Sequence, residues 1–270
     1  MAPKISVIIG VYNGKDGIIN AINYIRSQTY DNWECIICDD GSTYVTLDVL
    51  KRVTNGDERF VLVRHETNKG LATALNSCIR LAKGEYLARQ DADDVSIDSR
   101  FEEQVAFLDE NPDVAVLGTY AALFGKNGES WGENKPPVMP VMTDWVKGSS
   151  VIHASVMMRK DTIIETGCYD EKALRVEDYD LWLRLVGRGY KIVTLPKVLY
   201  NIHWDKSDYS RKKIGQRWKE VIVKFRALRY IKIPTLYYVY LLKHLFIGML
   251  PSILVHRYHY RKLKKTDLPA

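Results

Sequence analysis

The densest group of reactive side chains is Arg89-Gln90-Asp91-Ala92-Asp93-Asp94, with three carboxylates just after a strand-like run, Tyr86-Leu87-Ala88. Carboxylates this close repel one another unless a cation or hydrogen-bond donors neutralise them. Hard divalent ions such as Mg2+ or Mn2+ take oxygen ligands and bridge one or two carboxylates to substrate phosphates. The cluster therefore reads in two ways, as a metal–diphosphate site or as an acidic turn whose last carboxylate caps the helix near Ile97-Asp98-Ser99. Two further acidic pairs stand out. Asp39-Asp40 precedes Gly41-Ser42, where Asp40 would serve equally as an Asx-type turn residue. Glu177-Asp178 opens a helical stretch, a place where acids are favoured by the helix macrodipole.

The elements that must position these acids alternate. Ile5–Val11 is an almost wholly apolar run, as expected of a parallel strand covered on both faces. Tyr12-Asn13-Gly14 turns the chain, and Ile18, Ile19, Ile22 and Ile25 follow at helical spacing. The same pattern predicts strands over 34–38 and 60–64, helices over 46–53 and 71–83, and the strand leading into the first acidic cluster. Strand–helix alternation predicts an α/β fold with a Rossmann-like, mostly parallel central sheet flanked by helices. Ligands in such sheets collect at the carboxyl ends of the strands. The loops at 10–14, 39–42, 68–70 and 90–94 all lie there. Further on, 114–120 and 150–158 read as strands, and the polar, proline-containing 125–140 as a loop. No GxGxxG follows the first strand and no GxxxxGK[ST] occurs, so dinucleotide-binding and phosphate-loop sites are not indicated.

At 270 residues and 31.1 kDa, with 46% hydrophobic and 27% charged residues, the chain has the composition of a globular protein with a full core. Cys35 and Cys38 form a CxxC within a strand, and residues three apart on a strand point to opposite faces. The four cysteines read as free thiols in a reducing, cytosolic setting, and no signal peptide is visible. Charge is uneven. Residues 205–270 carry 16 Lys/Arg against 4 Asp/Glu, and residues 1–204 carry 23 against 29.

Several stretches together carry a resemblance: the strand ending in Val11-Tyr12-Asn13, Cys38-Asp39-Asp40-Gly41-Ser42, Asn68-Lys69-Gly70-Leu71, Asp91-Ala92-Asp93-Asp94 and Glu177-Asp178-Tyr179-Asp180-Leu181-Trp182. In order and rough spacing they resemble family 2 glycosyltransferases, inverting enzymes of the GT-A fold, over about residues 4–204. The resemblance implies that Gly10, Val11, Tyr12, Asp40, Asn68, Lys69, Asp91 and Ala92 bind a nucleotide sugar, with Asp40 accepting the uracil N–H. It implies Asp93 and His203 as ligands of Mn2+ or Mg2+, and Asp178 as catalytic base beside an orienting Glu177. His153, Trp182 and Ser207 would lie toward the acceptor or diphosphate. Such an enzyme needs only one in-line displacement, with a carboxylate taking the acceptor proton and a metal neutralising the departing diphosphate. Three departures stand out: Asn201 and Leu75 replace arginines common in relatives, and Ile214 replaces the Gln of the processive Gln-x-x-Arg-Trp motif. Single-sugar addition is therefore expected, with Lys69 or Arg89 supplying the missing anion contact.

Residues 211–232 are basic, with Ile214, Val221, Ile222, Phe225 and Leu228 at roughly helical spacing. Residues 233–255 are nearly apolar but interrupted by Lys243, His244 and Pro251. A spanning helix needs about 20 apolar residues, and the interruptions favour a C-terminal helical extension lying on an anionic cytoplasmic leaflet. Packing on the catalytic domain or on a second copy is the other reading, and nothing in the chain reads nucleic-acid bases. The expected organisation is a catalytic domain over 1–204, divided into a donor half (1–95) and an acceptor half (96–204), and a membrane-associating tail over 205–270. The expected function is transfer of one sugar, from a UDP-sugar, to a lipid-linked glycan in bacterial surface-polysaccharide assembly. The rivals are a nucleotidyltransferase and a non-catalytic, membrane-bound nucleotide-sugar scaffold.

Overall fold

The computed structural model describes residues 2–14, 17–125, 128–173, 175–204, 214–231, 233–240 and 263. The first half alternates as expected: β1 (Ile5–Val11), α1 (Gly17–Arg26), β2 (Trp33–Asp39), α2 (Tyr44–Thr54), β3 (Phe60–Arg64), α3 (Leu71–Leu81) and β4 (Tyr86–Arg89). These strands pair in parallel in the order β3-β2-β1-β4. β1 and β2 are buried along nearly their whole length, so each reads as a continuous apolar run. Alternation along β1 sends Ile5, Val7 and Ile9 into a core with Ile18, Ala21, Ile22 and Ile25 of α1, and sends Ile8 toward Ala74, Leu75 and Cys78 of α3. Cys35 and Cys38 divide between the same two layers, which rules out a shared role for the CxxC. All four cysteines are free.

The second half is mixed. It contains β5 (Val95–Ser96), α4 (Arg100–Glu110), β6 (Val114–Phe124), β7 (Ser130–Asn134), α5 (Met142–Lys147), β8 (Met157–Arg159), α6 (Lys160–Thr166), α7 (Glu177–Gly187) and β9 (Lys191–His203). β8 runs antiparallel between β4 and β6, β6 and β9 are parallel, and β5 closes the edge antiparallel to β9. The parallel arrangement thus holds for the first four strands and gives way to a mixed sheet beyond β4.

Two expectations are corrected here. The polar segment 125–140 contributes β7, which forms a hairpin arm on β6. The strand expected over 150–158 is reduced to β8 and preceded by a 3-10 turn, His153–Ser155. Ser155 explains the break: its hydroxyl accepts the Thr119 N–H at 3.0 Å and bonds back to the Ile152 carbonyl at 3.0 Å, replacing ladder bonds with side-chain ones. The turn lifts His153 out of the sheet.

The basic extension begins with α8 (Ile214–Leu228). Ala227, Leu228, Ile231 and Ile233 are buried in the same core as Leu181 and Trp182 of α7, and Lys224 lies over the Tyr179 ring at 5.5 Å. The described part of the extension therefore packs on the preceding domain. Val221 and Leu228 face inward, whereas Ile222 and Phe225 face solvent. The apolar stretch beyond residue 240 lies outside the described residues. Leu228→Ala should cost about 2–5 kcal/mol of stability, read by urea unfolding of the full chain; an unaltered midpoint would mean that α8 contributes nothing to the core.

Candidate active site

The turn after β4 is built from beneath. Gln90 donates its backbone N–H to the Ile8 carbonyl, and its side-chain amide reaches the Asp91 and Asp94 carbonyls at 3.0 and 3.1 Å. Arg89, fully buried, places its guanidinium against the Asp91 carboxylate and the Gln90 carbonyl. Arg100, equally buried, donates to Ser96 Oγ at 2.7 Å, Gln104 Oε1 at 3.0 Å and the Arg89 carbonyl at 2.7 Å. Burial lowers Arg100 to about 10. On the opposite side, Gly17 starts α1 directly against the turn, where a Cβ would sit 2.8 Å from the Ala92 carbonyl oxygen.

The three acids of this turn have separate fates. Asp94 is buried, and its Oδ1 accepts the His203 N–H at 2.9 Å. Tyr200 completes the tie: its hydroxyl accepts the Asp91 N–H at 3.0 Å and donates to the Asp94 carboxylate. Burial, reinforced by Asp91 and Asp93, pushes the Asp94 carboxyl well above the carboxylate range. Asp94 thus fastens the end of β9 to the turn. It does not cap a helix: α4 begins at Arg100 behind Ser99, whose hydroxyl donates to the Glu103 carboxylate at 2.9 Å and makes no capping bond to the helix backbone. Asp93 is exposed, Asp91 and Ala92 are half-exposed, and His203 is exposed beside them. Among the described residues no cluster of three or more His, Cys, Asp or Glu forms a ready metal cage.

At the ends of β1 and β2, Asn13 donates its N–H to Ser42 Oγ at 2.8 Å and accepts the Thr43 N–H at 3.1 Å, with a left-handed φ of 54°. Gly41 is left-handed at φ 72° and passes within 2.5 Å of Thr67 at its Cβ position, which only glycine tolerates. Asp40 is spent internally. Its Oδ1 meets His65 Nδ1 at 2.7 Å and the Lys69 N–H at 2.9 Å, and its Oδ2 accepts the Gly70 N–H at 2.8 Å. With three donors on it and almost no exposure, Asp40 holds the 65–70 loop and does not present its carboxylate for a base contact. Its neighbour Asp39 is 1% exposed, accepts the Ser42 N–H at Oδ1, and has no hydrogen-bond donor at Oδ2, where the Arg64 guanidinium stands 3.7 Å away. Gly10 and Val11 close β1, Tyr12 is 54% exposed beyond them, and Asn68 and Lys69 are exposed across the loop.

The third acidic pair opens α7. Arg175 just before it is left-handed at φ 67°, a conformation that bulky residues adopt at a cost. Glu177 is 9% exposed and Asp178 is half-buried. Burial, with Asp178 adding to it, raises Glu177 to about 7. Asp180 is structural: it pairs with Arg184 at 2.7 Å, which in turn holds the Thr166 and Cys168 carbonyls. Trp182 is completely buried, with its ring 5.9 Å from His153, so it is a core residue and offers no face to an acceptor. His153 Nε2 lies 2.8 Å from the Tyr169 hydroxyl, and burial, followed by Arg89, lowers His153 to about 4. Asp178 and Asp91 oppose that lowering through their charges, so both acids are within electrostatic reach of this neutral imidazole. Ser207 lies outside the described residues.

A parallel half whose strand ends carry an Asp-x-Asp turn, joined to a mixed half that presents an acidic helix start, is the arrangement of a GT-A glycosyltransferase. Residues 6–179 match the profile of glycosyl transferase family 2, and the chain belongs to that family. It is 36% identical over 264 residues to EpsE of Bacillus subtilis (strain 168), named as a glycosyltransferase, covering 97% of this chain and 95% of EpsE. It is 30% identical over 203 residues to the Escherichia coli UDP-Glc:alpha-D-GlcNAc-diphosphoundecaprenol beta-1,3-glucosyltransferase WfaP, covering 74% and 77% of the two chains. The fold matches the mannosyltransferase PcManGT from Pyrobaculum calidifontis, solved with GDP-Man and Mn2+, at a TM-score of 0.67 and 19% identity, over 100% of this chain and 77% of that one.

Glu177 supplies a pH signature. In the fold it keeps its proton to about 7, whereas the ordinary value is 4.5. Its contribution to stability is therefore present below about 4.5 and lost as pH rises toward about 7, because the unfolded chain releases the proton first. Glu177→Gln should flatten that decline and be more stable than the parent at about pH 8 but not at about pH 4, as read by urea unfolding at the two values.

Proposed function

We propose that this glycosyltransferase moves one sugar from a UDP-sugar to a hydroxyl of a lipid-linked glycan in bacterial surface-polysaccharide synthesis, at the cytoplasmic membrane face. The observation that carries the reading is the match of residues 6–179 to glycosyl transferase family 2, in a fold that puts the exposed Asp93 on the turn after β4 and the half-buried Asp178 in the first turn of α7. The name of WfaP, which specifies a UDP-linked donor and a diphosphoundecaprenol acceptor, supports the donor and acceptor classes. Residues 1–95 would carry the donor and 96–204 the acceptor, with 205–270 toward the membrane. No described helix is long and apolar enough to cross a membrane.

In this reading the base of the nucleotide stacks near Tyr12, with Gly10, Val11, Asp40, Asn68 and Lys69 around it and Asp91 and Ala92 toward the ribose and diphosphate. Asp178, half-buried at the start of α7, takes the acceptor proton as the hydroxyl attacks the anomeric carbon in line, inverting it. Glu177, still partly protonated near neutrality, orients that hydroxyl through its own hydrogen bond. His153 stays neutral and donates or accepts a hydrogen bond without adding charge. An exposed Asp93 with His203 beside it fits a Mg2+ or Mn2+ ion that completes its shell from diphosphate oxygens, since such ions are held by one or two carboxylates plus substrate phosphates. That ion would supply positive charge to the leaving diphosphate.

Thermal unfolding with UDP, GDP, dTDP or CMP, each with and without Mn2+, tests the donor assignment. A nucleotide at about 100 times its Kd should stabilise by roughly 2.7 kcal/mol, and Asp93→Asn should abolish the metal-dependent part. Asp178→Asn should keep that stabilisation while losing at least about 100-fold in turnover. A response to GDP alone would replace the UDP assignment, and silence toward all four would overturn the donor site.

A further inference from the structure

α8 has two unlike faces. Ala227 and Leu228 are buried against α7, with Val221 partly so, while Ile222, Phe225, Arg226 and Arg229 are exposed at positions i, i+3, i+4 and i+7. A solvent-facing stripe of an ordinary surface helix is polar throughout. Here it alternates apolar and cationic side chains, and neither arginine has an acidic partner among the described residues. The stripe does not end with the helix. Phe225 meets the Tyr238 ring at a centroid distance of 5.0 Å, and the 3-10 turn Thr235–Tyr238 carries Leu236, 82% exposed, followed by exposed Val239 and Tyr240. Tyr230 adds a further exposed ring at the helix end. Six large apolar side chains are thus exposed on α8 and the turns that follow it, together with two guanidinium groups that have no acidic partner among the described residues.

From this surface we infer that Ile222, Phe225, Arg226, Arg229, Tyr230, Leu236, Val239 and Tyr240 form a docking face for an anionic lipid bilayer. The apolar groups enter the headgroup boundary, and the arginines meet lipid phosphates, the division of labour expected of an interfacial helix. Charge complementarity selects this occupant. A second copy of the chain would bring arginine against arginine, and a neutral apolar partner would leave both cations desolvated and unpaired. The docking face is the outer side of the helix whose inner side packs on α7, with Lys224 over Tyr179, one residue after Asp178. It would therefore hold the first turn of α7 roughly one helix diameter, about 10 Å, behind the lipid surface. This deepens the membrane-side acceptor proposed above by naming the face, while its readout is independent of sugar transfer.

The test is sedimentation of the full chain with vesicles of phosphatidylcholine alone or mixed with phosphatidylglycerol, at low and high salt. Binding is expected only to the anionic vesicles, weakening as salt rises. Arg226→Gln/Arg229→Gln should lower partitioning by about 30-fold, and Ile222→Gln/Leu236→Gln by at least about 10-fold. Both pairs are exposed, so unfolding midpoints and nucleotide-induced stabilisation should match the parent. If the parent ignores anionic vesicles, or if both double variants bind them as the parent does, the inference fails. It fails equally if light scattering shows a dimer that the Ile222→Gln/Leu236→Gln pair dissociates, since the face would then belong to a second copy.

Discussion

Two buried guanidinium groups under the Asp91–Asp94 turn are the constraint on which this molecule depends. Arg89 and Arg100 are both fully enclosed, and placing two like charges out of water is costly unless acids and carbonyls surround them. They are surrounded by the turn itself: the Asp91 carboxylate, the Gln90 and Arg89 carbonyls, and the Gln90 and Gln104 side chains. The arrangement offsets in both directions, because the acids above would repel one another without cations beneath. It also explains why an Arg-Gln dipeptide leads into the acidic cluster. Tyr200 then extends the network sideways to β9, its ring against Arg100 and its hydroxyl between Asp91 and Asp94.

Much of the parallel half was legible from periodicity. The alternate residues of β1 and the Ile18, Ile22, Ile25 stripe of α1 meet in one core, because both periods record which side of an element loses water. Legibility ended where side chains replaced backbone in the ladder. Ser155 breaks the strand expected over 150–158 through its hydroxyl, a choice that hydropathy does not encode. The extension's apolar positions were legible as a helical stripe, but which of them turn inward was not: Leu228 and Ile231 find partners on α7 that only the tertiary fold brings near.

The site was legible as residue types and less so as roles. Asp91 and Asp93 lie on the turn after β4, Glu177 and Asp178 open α7, and His153 sits on the 3-10 turn before β8. Asp40 is tied to the 65–70 loop because His65, Lys69 and Gly70 supply three donors to it, and two of those come from backbone amides that no side-chain motif reports. Trp182 belongs to the core for a related reason, since its place on α7 points it at His153 from behind. Glu177 shows the opposite case: an acid kept in a place that raises its proton affinity is a local cost to stability, of the kind that active sites retain.

The bond from the His203 N–H to Asp94 has a mechanical side. β9 ends at His203, and the next residue, Trp204, donates its N–H to the Phe124 carbonyl at 2.9 Å. The end of this strand is thus held on one side by the acidic turn and on the other by β6, so the seat of Asp91 and Asp93 is tied through one strand to the far side of the sheet.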